Sequence, residues 1–462
     1  MVTSIPFRVL AIGPVLLLAG CVGVGPDYLR PDLALSSSFG AGRATPKSVT
    51  PTVRWWTGFG DPVLNRLIDT GLAQNLTVQE AVERVIQARF TAQATGASGL
   101  PSVTGSVSDT IAGVGSSSST NTFTSGFDAS WEIDLFGGIA RNREAAKASL
   151  EAAVEDTNAS RLTLIGEIAQ AYVDIRGYQA RIEIAKQTLT AQKATLSLTV
   201  VQQQGGTGSG LATAQAAAAT NSTAADIPTL EMSLQQTIHK LGVLLGQEPQ
   251  SLAAVLKAGA GIPVARANVA AGVPADLVRD RPDVREAERN LAAATANIGV
   301  AEANLYPSIT LGGSVSATVT SVTATSWSFG PSINIPIFDG GKLRAEVSLE
   351  QSKAREQYLT YKGAVLSAMQ DVEDALVGLK QEQIRHTELA KSVVNYGKAL
   401  DLAQQQYGSG STSFSDVLTA QKSLYSAQDA VAASSVNLAT DYIALCKALG
   451  GGWDLGAPVK SR

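Results

Sequence analysis

Two alternating stretches joined by a short turn set the limits on this chain. From Ser308 to Thr320, Ile309, Leu311, Val315 and Val319 are interleaved with small or polar residues. From Ser326 to Phe338, Trp327, Phe329, Ile333, Ile335 and Ile337 alternate with Ser326, Ser328, Gly330, Ser332 and Asn334. A period of two over this length predicts strands with two unlike faces. A strand that crosses a bilayer needs ~9–11 residues, with one face toward lipid and one toward a polar lumen. Both arms are long enough. A half-buried hairpin of a soluble sandwich would alternate in the same way, but a sandwich needs more strands. This chain holds one other such hairpin. In it, Val103, Val107 and Ile111 oppose Ser102, Thr104, Ser106, Ser108 and Thr110. After the Gly/Ser-rich loop Gly113 to Asn121, Phe123, Phe127, Trp131, Ile133 and Leu135 alternate with Thr124, Asp128, Glu132 and Asp134. The acids share the polar face, as a water-filled lumen requires.

The two hairpins sit in a tandem repeat. Asn75-Leu76-Thr77-Val78 opens a helix that ends near Leu100-Pro101-Ser102-Val103, and Arg281-Pro282-Asp283-Val284 opens one that ends at Tyr306-Pro307-Ser308-Ile309, an offset of 206 at both ends. Each half reads helix–strand–strand–helix–helix, over 61–250 and 281–450, with a Gly/Pro-rich linker at 251–280 and a tail at 451–462. Ile139 to Gln203 and Gly341 to Tyr407 lack Pro and predict helices of 65 and 67 residues, each ~100 Å long. Leu76–Gly99 with Ser209–Gln247, and Asp283–Leu305 with Ser413–Leu449, match those lengths when laid end to end. Leu162, Ile165, Ala169, Tyr172 and Ile175, and Val365, Met369, Val372 and Leu376, have the 3/4 spacing of packed helix faces. Asp61 with Pro62 is an N-cap and first position for a short helix that turns Val63, Leu64, Leu67 and Ile68 inward.

The N-terminus is a targeting segment: Arg8, an apolar core from Val9 to Leu18, then small residues at the cleavage point. No apolar run reaches the ~18 residues of a membrane-spanning helix, so strands must carry any passage through a membrane. After residues 1–20, the stretch 21–60 is rich in Gly, Pro and Ser and reads as an extended tether. With a formal net charge of −4, nothing points to nucleic acid. Of two cysteines, Cys446 falls on a helix and reads as a small packed hydrophobe. No HExxH, CxxC, Walker loop or GxSxG occurs. Gly205-Gly206-Thr207-Gly208-Ser209-Gly210 lies between helices and lacks the P-loop Lys. Acidic pairs such as Glu373-Asp374 read as solvated helix faces. The reading is no enzyme, no metal and no cofactor.

Several stretches taken together resemble the outer-membrane factor family, the TolC-like channels of tripartite efflux pumps, in its NodT-type lipoprotein branch. They are Leu18-Ala19-Gly20-Cys21, Gly25-Pro26-Asp27-Tyr28, Trp55-Trp56, Phe59-Gly60-Asp61-Pro62, Trp131-Glu132-Ile133-Asp134-Leu135-Phe136-Gly137, Pro336-Ile337-Phe338-Asp339-Gly340-Gly341 and Gly450-Gly451-Gly452-Trp453. The resemblance implies an α+β membrane channel: a homotrimer with a 12-stranded β-barrel, four strands per chain, continued by a long α-helical periplasmic barrel. Four strands alone cannot close a barrel, and open edges are not tolerated in lipid. It implies cleavage before Cys21 with covalent lipid on its sulfur, residence in the bacterial outer membrane, and docking to a periplasmic adaptor protein and an inner-membrane efflux transporter. A channel for protein secretion and a coiled-coil scaffold without a pore are the alternatives.

The turns Gln203–Ser209 and Tyr407–Ser413 join each long helix to its shorter partner. By resemblance they are the periplasmic tip that meets the adaptor, with Gly206-Thr207 and Gly410-Ser411 in the contact positions. By resemblance too, Tyr407 and Asp416 occupy gate positions, the three carboxylates of a trimer forming one ring. Thr419 and Thr412 stand where some relatives carry a second acid and a basic partner. These departures imply a single ring and a weaker polar latch.

Overall fold

The computed structural model describes residues 23–33, 54–115, 119–257, 259–265 and 275–452; Cys21 and Trp453 lie outside them. In chain order the elements are α1 (Pro62–Gln74), α2 (Leu76–Ala97), β1 (Ser102–Ala112), β2 (Thr120–Ile133), α3 (Gly138–Gln204) and α4 (Gly210–Leu244). Then follow α5 (Pro282–Ala303), β3 (Ser308–Val319), β4 (Thr323–Asn334), α6 (Lys342–Gly408) and α7 (Phe414–Ala448). Short 3₁₀ helices, Trp55–Phe59 and Ala275–Asp280, precede α1 and α5. Both long helices have 67 residues, within two of the lengths expected. No described helix is long and apolar enough to cross a membrane.

Two compact units divide the chain, each drawing on both repeats. The first comprises Met1–Asp32, Ile86–Ala152 and Ala287–Tyr361. It contains one antiparallel sheet in the order β1-β2-β3-β4. Every pair in the three ladders joins residues of like parity, such as Phe127↔Val315 and Val315↔Trp327. The side-chain period is two, so the odd residues of all four strands share one face and the even residues the other.

The odd face carries Val103, Val107, Phe127, Val315, Trp327 and Phe329. Phe127 is 63%, Trp327 79% and Phe329 73% exposed, which no water-facing sheet sustains at this density. The even face is a field of hydroxyls. Ser314 Oγ lies 2.8 Å from Ser328 Oγ, and Ser316 Oγ 2.9 Å from Ser326 Oγ. Asp128 and Glu132 lie on this even face. Asp109, opposite Phe123, is the odd-face acid, and it sits in the last turnward residues of β1. Strand β4 begins three residues earlier than the alternation suggested and stops at Asn334, opposite Ser308. Ile335 and Ile337 fall beyond it because Pro336 has no N–H to extend the ladder.

The second unit comprises Leu33–Val85, Ala153–Glu286 and Lys362–Arg462. Its largest core gathers Trp55, Trp56, Phe59, Leu64 and Ile68 against Ile165, Ile168, Tyr172 and Ile175 of α3 and Tyr442 of α7. Asp61 does two jobs there. Its Oδ1 accepts from the N–H groups of Val63 (2.8 Å) and Leu64 (3.3 Å), capping α1. Its Oδ2 accepts from the Tyr172 hydroxyl at 2.6 Å. Burial pushes that phenol up to about 12. Cys446 is buried in the same core, where burial raises its thiol to about 12 and keeps it inert. On α6, Val365 and Val372 are buried as the spacing suggested, while Met369 and Leu376 are half-buried.

Where one short helix ends, the next begins. The Asn75 side chain caps α2 by accepting from Val78 N–H (2.9 Å) and donates to the last carbonyl of α4, Leu244, at 2.9 Å. Its counterpart in the second repeat is Arg281. That guanidinium donates to the Ala448 carbonyl of α7 (3.1 Å), to Asp371 (3.0 Å) and to both oxygens of Asp283. Its side chain is 8% exposed. Burial opposes the charge, but the two carboxylates outweigh it and hold the group above its usual range.

Candidate functional site

The helical tips carry most of the residues singled out by sequence. Helices α3 and α6 both end in a left-handed glycine, Gly206 (φ 77°) and Gly410 (φ 74°). In each, the glycine N–H donates to the carbonyl three residues back, Gly206 to Gln203 (3.1 Å) and Gly410 to Tyr407 (3.0 Å). The following N–H reaches five back, Thr207 to Gln202 and Ser411 to Gln406, both at 2.9 Å. This double closure satisfies the orphan carbonyls of a helix end. Gly246 and Gly450 close α4 and α7 with the same pair of bonds. A Cβ on Gly206 or Gly410 would meet nothing within 4 Å, so the left-handed φ, not space, demands glycine there. Gly410→Ala is therefore expected to cost ~1–2 kcal/mol, read as faster proteolysis at the tip of the purified protein with the sheet intact.

Behind the turns the four helix ends meet. Ala212, Ala216 and Phe414 are buried, with Leu196, Tyr407 and Leu418 packed against them. The Tyr407 ring lies 5.5 Å from Phe414, and its hydroxyl donates to Gln202 Oε1 at 2.8 Å. One tyrosine thus ties α6 to α3 and to α7. Asp416 lies in the first turn of α7, fully exposed. Its Oδ2 accepts from Thr412 Oγ1 (2.6 Å), Ser413 Oγ (2.7 Å) and Ser413 N–H (3.1 Å). The last bond is the return half of a capping box. These donors, Thr412 first, hold the carboxyl below the usual carboxylate range. Its Oδ1 has no donor among the described residues. Ala212, its counterpart in the first repeat, is buried at 8% exposure.

Sequence reasoning placed Tyr407 and Asp416 here but missed Gln202 and Phe414. The run of three glutamines before Gly205 offered a weak signal, because a polar tyrosine partner is needed one turn before the cap. It also missed the bidentate pair Arg181–Asp429 (2.7 and 3.0 Å), which joins α3 to α7 further from the tip. Among the described residues, no group of three His, Cys, Asp or Glu could hold a metal ion.

In the first unit, Gly23 to Asp32 runs without helix or strand, and its start is clamped. Arg141 donates to the carbonyls of Val24 (3.1 Å) and Gly25 (3.2 Å) and to Asp27 (2.7 Å). Val24 N–H donates to the Phe136 carbonyl at 3.0 Å. Tyr28 donates to Glu288, and Arg289 lies over its ring at 5.7 Å. A Cβ on Gly299 would stand 2.9 Å from the Val24 carbonyl, so glycine is needed for this close approach.

The profile described as "Outer membrane efflux protein" matches residues 67–247 and 273–451, one match in each half of the chain. The chain belongs to the outer membrane efflux protein family. It is 38% identical to Nodulation protein T of Rhizobium leguminosarum bv. viciae, over 97% of this chain and 94% of that protein. It is 30% identical to the "Probable outer membrane lipoprotein SilC" of Salmonella typhimurium, over 96% and 99%. The solved outer-membrane channel OprN superposes with a TM-score of 0.87 at 34% identity, covering 93% of this chain and 99% of that one. Family membership accounts for the union of a sheet with one apolar face and two 67-residue helices in a single chain.

Proposed function

We propose that three copies of this chain close a 12-stranded barrel in the outer membrane, and that their helices continue it as a passive export conduit rather than an enzyme. The observation that carries this is the sheet itself. Among the described residues its β1 and β4 edges are unpaired, and its odd face is apolar and exposed. An open edge in lipid leaves N–H and C=O groups without partners, so β4 of one copy pairs with β1 of the next. Helix α6 supports the same assembly. Leu366, Val377, Ile384 and Leu402 are 48–56% exposed and recur close to whole numbers of helical turns, forming a stripe that a second copy covers. Planar-bilayer conductance of purified protein, with heat-modified gel mobility, tests the reading. A monomer without conductance would favour the pore-free coiled-coil scaffold.

The conduit serves a tripartite efflux system, joined through a periplasmic adaptor protein to an inner-membrane efflux transporter. Gly206, Thr207, Gly410 and Ser411 form the adaptor-contact tip. Support comes from their exposure at the turns and from the efflux description of the family. Genes for a pump beside this one would favour efflux over a protein-secretion channel.

Covalent lipid on Cys21 anchors the mature chain. Support comes from Leu18-Ala19-Gly20-Cys21 and from the lipoprotein description of SilC. Cys21→Ser is expected to abolish incorporation of labelled palmitate, while trimers still form through the barrel. Unchanged labelling would refute the anchor.

A further inference from the structure

A cavity of about 550 Å³ lies in the first unit where the sheet hands over to the helices. Its volume is that of a small-molecule site. Glu132, Ser308 and Asn334, which line it, belong to the even, polar face of the sheet. In the closed barrel proposed above, that face is the lumen, so the cavity opens onto the path of the cargo.

Its chemistry is selective. Phe136 and Tyr306 both line it and stack at 4.6 Å with their planes 16° apart. Tyr306 remains 43% exposed. No Lys or Arg lines the cavity, and two carboxylates do. Asp134 is committed, because its oxygens accept the N–H groups of Ile139 (3.1 Å) and Ala140 (2.7 Å) at the start of α3. Glu132 receives no hydrogen bond and forms no ion pair among the described residues. The site therefore offers a flat aromatic surface, one uncompensated negative charge and exposed amides, Asn142 and Asn304 among them.

We propose that this cavity is a binding site for monocationic, flat aromatic amphiphiles in transit through the channel. Glu132 neutralises the cation, and Tyr306 stacks on the ring system. The proposal rests on the channel reading for the side from which the cavity is reached.

The test is fluorescence anisotropy of rhodamine 6G, a cationic xanthene, with purified trimers, using anionic fluorescein as the comparison. Saturable binding of rhodamine 6G and none of fluorescein is expected. Glu132→Gln, which keeps size and strand geometry, and Tyr306→Ala should each weaken binding at least about tenfold. Asp128→Asn removes another carboxylate from the same face and should leave the affinity as in wild type. Trimer mobility on gels checks that each variant is assembled. Equal binding of both dyes, an unaffected Glu132→Gln, or an equal loss in Asp128→Asn would overturn the site. Conductance of the same wild-type sample separates the two readings. A conducting trimer without saturable binding rejects this site and leaves the channel, whereas trimers without conductance reject the channel itself.

Discussion

Val315→Arg is expected to abolish trimers in the outer membrane, while Ser316→Arg, one residue further along the same strand, leaves them near wild-type level. Val315 sits mid-strand between Phe127 and Trp327 on the apolar face. Ser316 faces the other way, with its hydroxyl against Ser326. An arginine facing lipid at the bilayer midplane costs ~2–4 kcal/mol. Three copies raise this to about 6–12 kcal/mol per barrel, comparable with the whole stability of a domain. An arginine in a water-filled lumen keeps its hydration and narrows the pore only locally. The measurement is the yield of heat-modifiable trimer in outer-membrane fractions. Equal yields would mean that the odd face does not meet lipid. Equal losses would mean that both faces are packed, as in a soluble sandwich.

That test is possible because strand parity is legible in sequence. Alternation in Ser308–Thr320 and Ser102–Thr110 fixes which residues share a face within each strand, and even-numbered registers carry the assignment across all four. Helix ends are legible for a related reason. Gly206, Gly410 and Gly450 all have positive φ, and only glycine adopts that conformation without cost; Gly246 does the same and closes α4 at Leu244, although the expected helix ran through it to Gln247. What could not be read is chemistry between distant side chains. Asn75 and Arg281 occupy matching places in the repeat, and both bind the last carbonyl of the short helix that ends their own half, α4 and α7. One is a neutral amide and the other a buried cation with two carboxylates, so similarity of sequence could not reveal the shared role. The Arg141 clamp on Gly25 and Asp27 likewise joins residues more than a hundred positions apart. The end of β4 at Asn334 was missed because Ile335 and Ile337 keep the apolar rhythm after Pro336 has stopped the ladder.

At the tips, Tyr407→Ala is expected to raise the conductance of trimers held without their partners. The residue contributes one hydrogen bond to Gln202 and one ring contact to Phe414. A net hydrogen bond and an aromatic pair are each worth ~0.5–1.5 kcal/mol. We propose that these contacts hold the closed state of a gate, so that losing both shifts its closed–open equilibrium roughly ten- to a hundredfold. Tyr407→Phe keeps the ring and loses only the Gln202 bond, so it should fall between wild type and alanine. Asp416 makes a different contribution. We propose that it also acts at the axis: its Oδ2 caps α7 while Oδ1 has no donor among the described residues, so that three copies would present a ring of anionic oxygens, as cation-selective constrictions do. Asp416→Ala should therefore reduce cation selectivity and block by divalent cations. Because the donors lower its proton affinity, the folded-state pKa lies below the unfolded one. The capping contribution is then complete above the unfolded carboxyl range and is lost only as pH falls through the depressed value. Block by divalent cations should accordingly persist at about pH 5. Asp416→Asn separates the two roles, because its amide oxygen can still accept from Ser413 N–H but carries no charge. If Asp416→Asn loses cation block while resisting proteolysis at the tip as wild type does, the charge acts at the axis. If cation block survives in both Asp416 variants and only tip stability falls in alanine, the carboxylate is a helix cap alone and the gate rests on Tyr407.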